Sequence, residues 1–366
     1  MHMNVLSKTA LRGAIGAGAL GVAALLPSFQ AHAALLVGNT RGDNVVAYDE
    51  ISGAFLGGFI GAGSGGLKNP DDLTFGPDGN LYVSSSASNS SGQILRYSAS
   101  GAFLGVFAQS SSLRRPYGSA FGADGNLYVA SFRSDEVLRY NGTTGAFIDV
   151  FAKGNGSAAG LLNGPNDLQF SADGKKLFVT TQGSVADSAG GISYQFDSQV
   201  LSYDVASGVG SVVATPSPAP GSAGYVSMLG LAFGPDGFLY TSDYAGGIRS
   251  YDSDSGALVQ TIATGNLFGG SIATTIGNIT FGPGGTLYAA VFNADSSGVV
   301  ANGIAQCSTL TGVCSLLASD STNLLRPIGI TYVAGPIPEP STLLLLAGGL
   351  GLVMLRVRRR ARYLER

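Results

Sequence analysis

The chain has 366 residues, of which 45% are apolar and 12% charged, with 56 glycines, no tryptophan and a formal net charge of −3. That apolar fraction excludes a disordered chain, and the abundance of Gly, Ser and Ala suits short strands joined by tight turns. In chain order, Lys8 and Arg12 precede an apolar run over residues 14–26, and Ala31-His32-Ala33 then presents small residues where a signal peptidase reads. Residues 1–33 are therefore expected to be a signal peptide cut after Ala33, because the run is well short of the roughly 20 residues of a spanning helix. Both histidines, His2 and His32, lie in this segment. The exported part then has none, which excludes a histidine-based triad and a histidine zinc site.

From residue 34 the chain is built on one repeated unit. In NPDDLTFGPDGNLYVS, residues 69–84, two short strands at 73–75 and 81–83 flank Gly76-Pro77-Asp78-Gly79. Proline presets φ there and Gly79 supplies the positive-φ position, so the stretch predicts a β-hairpin. Copies begin at Gly118, Asn166, Gly230 and Asn278, with half-copies at Leu35 and Ile328. The second-strand motif starts at Leu35, Leu81, Leu127, Leu177, Leu239 and Leu287, spacings of 46, 46, 50, 62 and 48. A third strand follows each motif (44–48, 93–97, 136–140, 199–203, 247–251), then a Ser-Gly or Thr-Gly turn and a fourth strand such as 102–107. Six such units predict an all-β, six-bladed propeller of four-stranded antiparallel blades over residues 34–333. The chain opens on a second strand, 35–38, and ends on a first strand, 329–333. The two should share a blade, closing the ring without an exposed sheet edge.

Strand parity assigns the loops. Turns after first and third strands share one face and are uniformly tight, whereas the other face receives the excursions at 183–198 and 215–225, both from the fourth repeat. Binding residues favour variable loops over a rigid scaffold, so any site is expected on this irregular face. The same face holds the entrances to the innermost strands, where Asp72, Asn166, Asp167 and Asn278 offer hard oxygens suited to Ca²⁺. The competing reading is that Asp72 and Asp167 cap loops by accepting backbone N–H groups. Asp78, Asp124, Asp173 and Asp236 each sit in a turn on the regular face and read as turn chemistry. Arg114, Arg115 and Arg133 form a small basic spot for an acidic glycan, or a merely solvated face. Cys307 and Cys314 align with Tyr140 and Phe147, facing positions across a hairpin. Export permits a disulfide, and without CxxC spacing the pair reads as a structural staple.

The C-terminal residues carry a second processing signature: Pro338-Glu339-Pro340, an apolar stretch at 341–355, then Arg356, Arg358, Arg359, Arg360 and Arg362. This tripartite pattern resembles the PEP-CTERM sorting signal of Gram-negative bacteria, which implies recognition and processing by an exosortase, transient anchoring in the inner membrane and a final place at the cell surface or in the extracellular matrix. Residues 334–340 are then a linker carrying the triplet and 341–366 the sorting tail. Residues 34–337 hold 12 Lys and Arg against 21 Asp and Glu, a net charge of −9, unsuited to nucleic acid. The repeat, quoted as RPYGSAFGADGNLYVASFRSDEVLRYNGTTGAFIDVF from Arg115, resembles NHL propellers, which implies the fold and leaves function open. Pro165-Asn166-Asp167 also resembles gluconolactonase-type propellers, implying a divalent metal and a lactone substrate, although no glutamate stands at a channel entrance. The absence of histidine departs from streptogramin-lyase-like enzymes. The leading expectation is a non-catalytic binding module for a glycan, a surface protein or a cation. The alternative is a Ca²⁺-dependent hydrolase of the gluconolactonase type.

Overall fold

The computed structural model describes residues 33–156, 161–186, 191–218, 224–269, 274–295 and 298–335. The signal-peptide residue Ala31 and the sorting residues Pro338, Glu339, Pro340, Arg358, Arg359 and Arg360 lie outside them. Among the described residues no helix is long and apolar enough to cross a membrane.

Blade 1 contains β1 (Ala34–Asn39), β2 (Asn44–Asp49) and β3 (Phe55–Ile60). Blade 2 contains β4 (Leu73–Phe75), β5 (Leu81–Ser88), β6 (Ser91–Tyr97) and β7 (Phe103–Ala108), and blade 3 β8 (Pro116–Phe121), β9 (Asn126–Ser131), β10 (Glu136–Asn141) and β11 (Phe147–Lys153). In blade 4, β12 (Pro165–Phe170) and β13 (Lys176–Thr181) are followed by an inserted hairpin, β14 (Ser184–Ala186) and β15 (Ile192–Tyr194), before β16 (Val200–Asp204) and β17 (Gly210–Ala214). Blade 5 is β18 (Met228–Phe233), β19 (Leu239–Asp243), β20 (Ile248–Tyr251) and β21 (Leu258–Ile262). Blade 6 is β22 (Thr275–Phe281), β23 (Thr286–Asp295), β24 (Gly298–Ser308) and β25 (Val313–Ser319). The last strand, β26 (Pro327–Val333), lies beside β1 in the order β26-β1-β2-β3. Leu35 faces Tyr332 and Val37 faces Ile330 in antiparallel register. The ring is closed by pairing its two ends, as the half-copies require. Second strands run longer than the motif suggests, β5 reaching Ser88, because the Ser-rich tail of the motif continues the ladder to β6.

The local chemistry follows the repeat. Gly79, Gly125, Gly174 and Gly237 occupy positive φ between first and second strands. Asp78 accepts hydrogen bonds from Asn80 N (3.1 Å), Asn80 Nδ2 (2.6 Å) and Tyr82 OH (3.0 Å), and Asp124 accepts the same set from Asn126 and Tyr128. These carboxylates are part of the turns, as the sequence suggests.

Packing between blades uses both faces of each sheet, so the second strands are buried at nearly every position rather than at alternate ones. Six apolar clusters result, one for each pair of adjacent blades: Leu36 with Leu81, Tyr82 with Leu127, Tyr128 with Leu168, Phe178 with Leu231, Tyr240 with Ile279, and Tyr48 with Tyr288. The aromatic of a second strand meets edge-on the Phe that ends the next blade's first strand: Tyr82–Phe121 at 4.9 Å, Tyr128–Phe170 at 5.1 Å, Phe178–Phe233 at 5.6 Å and Tyr240–Phe281 at 5.1 Å. Each such pair contributes about 0.5–1.5 kcal/mol beyond its buried area. Within blades, Tyr48–Phe55, Tyr97–Phe103 and Tyr140–Phe147 pack across third and fourth strands at 5.4–5.6 Å. Blade 6 places Cys307 opposite Cys314 at this position, and the two are joined in a disulfide. A covalent bond there replaces an aromatic contact.

Candidate functional site

The innermost strands can be aligned on their last aromatic residue, Phe75, Phe121, Phe170, Phe233, Phe281 and Tyr332. Three residues before it stand Asp72, Gly118, Asp167, Gly230, Asn278 and Gly329, so acid or amide alternates with glycine from blade to blade. The alternation is steric. A Cβ on Gly118 would lie 2.6 Å from Asp167 Cα, and one on Gly230 would lie 2.9 Å from Asn278 Cα. Three of the predicted ligand residues thus share one tier of the channel, interleaved with the glycines that admit them.

In that tier the carboxylates join neighbouring blades. Asp72 Oδ2 accepts from Ser119 N and Ser119 Oγ of blade 3, each at 2.9 Å, and from Thr74 Oγ1 at 2.9 Å. Asp167 accepts from Leu168 N at 2.8 Å and, through its other oxygen, from Leu231 N of blade 5 at 2.8 Å. Burial pushes the Asp72 carboxyl up to about 6, against the lowering effect of those hydrogen bonds. Asp167 is also raised well above the ordinary carboxylate range, first by burial and then by the charge of Asp72. Asn278 Oδ1 is buried and has no hydrogen-bond partner. As a Ca²⁺ site the tier has two carboxylates whose oxygens are engaged by N–H and O–H groups and one unengaged amide oxygen. Among the described residues no three His, Cys, Asp or Glu side chains gather to hold a metal.

One residue earlier in each strand the arrangement changes. Asp71, Tyr117, Asn166, Leu229 and Ile328 all line a cavity of about 760 Å³ on the irregular face. Asn166 therefore belongs to this outer tier and is separated from its neighbour Asp167 by strand alternation. Both insertions of the fourth repeat supply walls: Tyr194, Phe196 and Asp197 from the first, Pro216, Pro218 and Tyr225 from the second. The second insertion is tied down by a buried ion pair. Arg249 Nη1 lies 3.0 Å from Asp243 Oδ2, and Arg249 Nη2 donates to Ser217 O at 3.0 Å. Asp243 also accepts from Ser227 N (2.9 Å) and Ala245 N (3.0 Å), so its charge is fully engaged.

Two residues of the cavity carry no mark as candidates in the repeat pattern. Asp71 is 6% exposed, and its Oδ2 has no hydrogen-bond partner. Burial pushes its carboxyl up to about 6, offset in part by the positive charges of Arg115 and Arg326. Arg326 lines the cavity with Arg115, whereas Arg114 and Arg133 of the expected basic spot are not among its lining residues. The available signal for Arg326 is the dipeptide Arg326-Pro327, which repeats Arg115-Pro116 at the same strand entrance. Tyr117, beside Arg115, is pushed up to about 12 by burial and is therefore a neutral phenol.

No family model matches the chain, and no curated protein matches it in sequence. Solved structures do. A chain of a nidogen–laminin complex superposes with a TM-score of 0.58 at 15% identity, covering 83% of this chain and 99% of that one. A protein of unknown function from Bacteroides caccae gives 0.54 at 12% identity, covering 82% and 99%. A putative 6-phosphogluconolactonase from Bacteroides fragilis gives 0.50 at 16% identity, covering 84% and 99%. At such identities the likeness is one of architecture, and what it establishes is the fold: this chain is a six-bladed β-propeller.

Proposed function

We propose that the protein is an exported, exosortase-processed component of the bacterial cell surface or extracellular matrix whose propeller is a non-catalytic binding module. The observation that carries this reading is the cavity of about 760 Å³ at the channel mouth, within the size range of sites that enclose small ligands. Its floor comes from five different innermost strands and its walls from two insertions of one blade. It thus joins a rigid base to variable loops, an arrangement suited to selecting a ligand. Five aromatic side chains line it, Tyr117, Tyr194, Phe196, Tyr225 and Tyr244, beside two serines, which favours a glycan or a surface-protein segment over a substrate to be cleaved.

The test is an oligosaccharide array probed with the purified full-length protein and with Leu229→Trp, which adds bulk to the cavity floor. Binding by the wild type and loss in the variant supports the reading. Equal binding by both places the ligand elsewhere and overturns it. Hydrolysis of a lactone or glycan that Asp167→Ala abolishes would show an enzyme. That second reading, a Ca²⁺-dependent hydrolase of the gluconolactonase type, draws on the unpartnered Asn278 Oδ1 beside the Asp72 and Asp167 tier. It requires millimolar Ca²⁺ to raise the melting temperature.

A further inference from the structure

Four blades place a residue of positive φ directly before the proline that opens the innermost strand: Asn69 (φ 46°), Arg115 (φ 51°), Gly164 (φ 66°) and Arg326 (φ 55°). This conformation is easy for glycine and costly for a residue with a Cβ, and a following proline disfavours it further. Gly164 shows that the fold needs no side chain there. Two blades nevertheless carry arginine, and both arginines line the cavity.

Each guanidinium is held by its edge. Arg115 donates from Nε to Tyr117 OH at 3.0 Å and from Nη1 to Asn89 Oδ1 at 3.3 Å, with its guanidinium 5.6 Å from the Tyr117 ring centre. Arg326 donates from Nη1 to Thr40 Oγ1 at 3.3 Å and lies 5.6 Å from the Phe292 ring centre. The Arg326 backbone is fixed as well, its N–H bonded to Asn302 Oδ1 at 3.0 Å and its carbonyl accepting from Thr40 N at 3.2 Å. Neither arginine is among the ion pairs of the described residues. A stacked guanidinium with free N–H groups is a preorganised fork for an oxyanion. Asp71, within the electrostatic reach of both, does not satisfy them: its Oδ2 is unpartnered. Tyr194 and Tyr225 are 65% and 48% exposed on the cavity walls, offering apolar ring faces to a flat, C–H-rich ligand.

We propose that the cavity binds an acidic saccharide, its uronate carboxylate taken by the guanidinium groups of Arg115 and Arg326 and its pyranose faces lying on Tyr194 and Tyr225. This rests on the cavity being the ligand site and specifies what that site selects. Asp197, on the cavity wall, accepts sugar hydroxyls and turns the anionic end of the ligand toward the arginines. A sulfated sugar offers the same oxyanion chemistry, so the test separates the two.

Full-length protein is titrated calorimetrically with trigalacturonate, with galactotriose as its uncharged counterpart, and with a sulfated galactose trisaccharide. Trigalacturonate is expected to bind at least about tenfold more tightly than either, the scale of one charge-assisted contact. Arg115→Gly and Arg326→Gly are each expected to weaken it about tenfold or more. Both variants should melt no lower than the wild type, since Gly164 already serves this position in blade 4. Arg115→Lys should bind as weakly as the glycine variant, the charge being kept and the planar fork lost. Equal affinity for galactotriose, or wild-type affinity in the glycine variants, overturns the proposal while leaving the cavity a ligand site. Preference for the sulfated sugar overturns the uronate assignment. No binding of any of the three, with no hit on the oligosaccharide array, overturns the ligand site and the proposal together.

Discussion

Asp72→Asn tests whether the channel carboxylates are clamps between blades or ligands for a cation. Asp72 is 7% exposed, and burial raises its carboxyl from 3.8 to about 6. A group whose folded pKa lies above its unfolded value contributes stability fully below the unfolded value and loses it as pH rises through the folded one. That rise corresponds to about 3 kcal/mol, absent above pH 6 and recovered near pH 4. The substitution removes the ionisable group yet keeps an acceptor for Ser119 N and Oγ, at a cost of about 1–2 kcal/mol for the amide NH₂ it buries. The net expectation is a gain of about 1–2 kcal/mol at pH 8, a rise in Tm of roughly 2–3 °C for a domain of this size, reversing to a loss at pH 4. Asp167, raised in part by the Asp72 charge, should titrate lower in the variant. Thermal melts at pH 4, 6 and 8, in chelator and in millimolar Ca²⁺, read this directly. A loss of stability at pH 8 in chelator would refute the reasoning that the buried charge is a net cost, and a Ca²⁺-dependent rise in Tm that the variant abolishes would make Asp72 a ligand.

Reducing the Cys307–Cys314 bond, which closes a seven-residue separation, is expected to cost about 2.5 kcal/mol on loop entropy. Replacing both by Tyr and Phe, the pair blade 3 uses at the same place, should recover part of that, as melts with and without reductant will show. Arg249→Met leaves Asp243 buried without its cation, and a loss of about 3–5 kcal/mol is expected with faster amide exchange around Ser217. If exchange there is unchanged, the ion pair does not hold the wall. Affinity for an anionic ligand should fall as pH rises through about 6, because Asp71 then ionises in the cavity. The charges and titrating groups around it are Arg115, Arg326, Asp72, Tyr117 and, on the wall, Asp197. Titration of Asp71→Asn should flatten that profile, and an unchanged profile would assign it to another group.

The ring was legible because its determinants are local and repeated. Gly79 and its equivalents demand a turn, and Leu81-Tyr82-Val83 demands a strand buried on both faces. The half-copies at Leu35 and Ile328 leave each other as the natural partner. The face was legible too, since parity sends residues 183–198 and 215–225 to the same end. The grouping of Asn166 with Asp72, Asp167 and Asn278 is where adjacency in sequence misleads: strand alternation sends Asn166 outward and Asp167 inward. Arg326 was harder to see. Its relevance depends on β26 returning to the channel beside β1, and nothing in an Arg-Pro dipeptide announces a positive φ. The clamps between blades, such as Asp167 to Leu231 N, join residues 64 apart and have no local signature.

The two tiers of the channel divide fold from recognition by an offset of one residue. In the inner tier the six blades offer only acid, amide or glycine, in strict alternation, and Gly118 and Gly230 have no room for a Cβ. Large and small residues fill that ring in a closed pattern, and its carboxylates are occupied in holding blade to blade. In the outer tier the same six strands present Asp71, Tyr117, Asn166, Leu229, Gly277 and Ile328, six different residues. A position that served ring closure alone would repeat with the blades, as the inner tier does. The outer tier does not repeat, and it is flanked by arginines in a conformation that glycine would adopt more cheaply. Backbone cost accepted at a cavity wall, where the fold does not require it, is what selection for a ligand would leave behind.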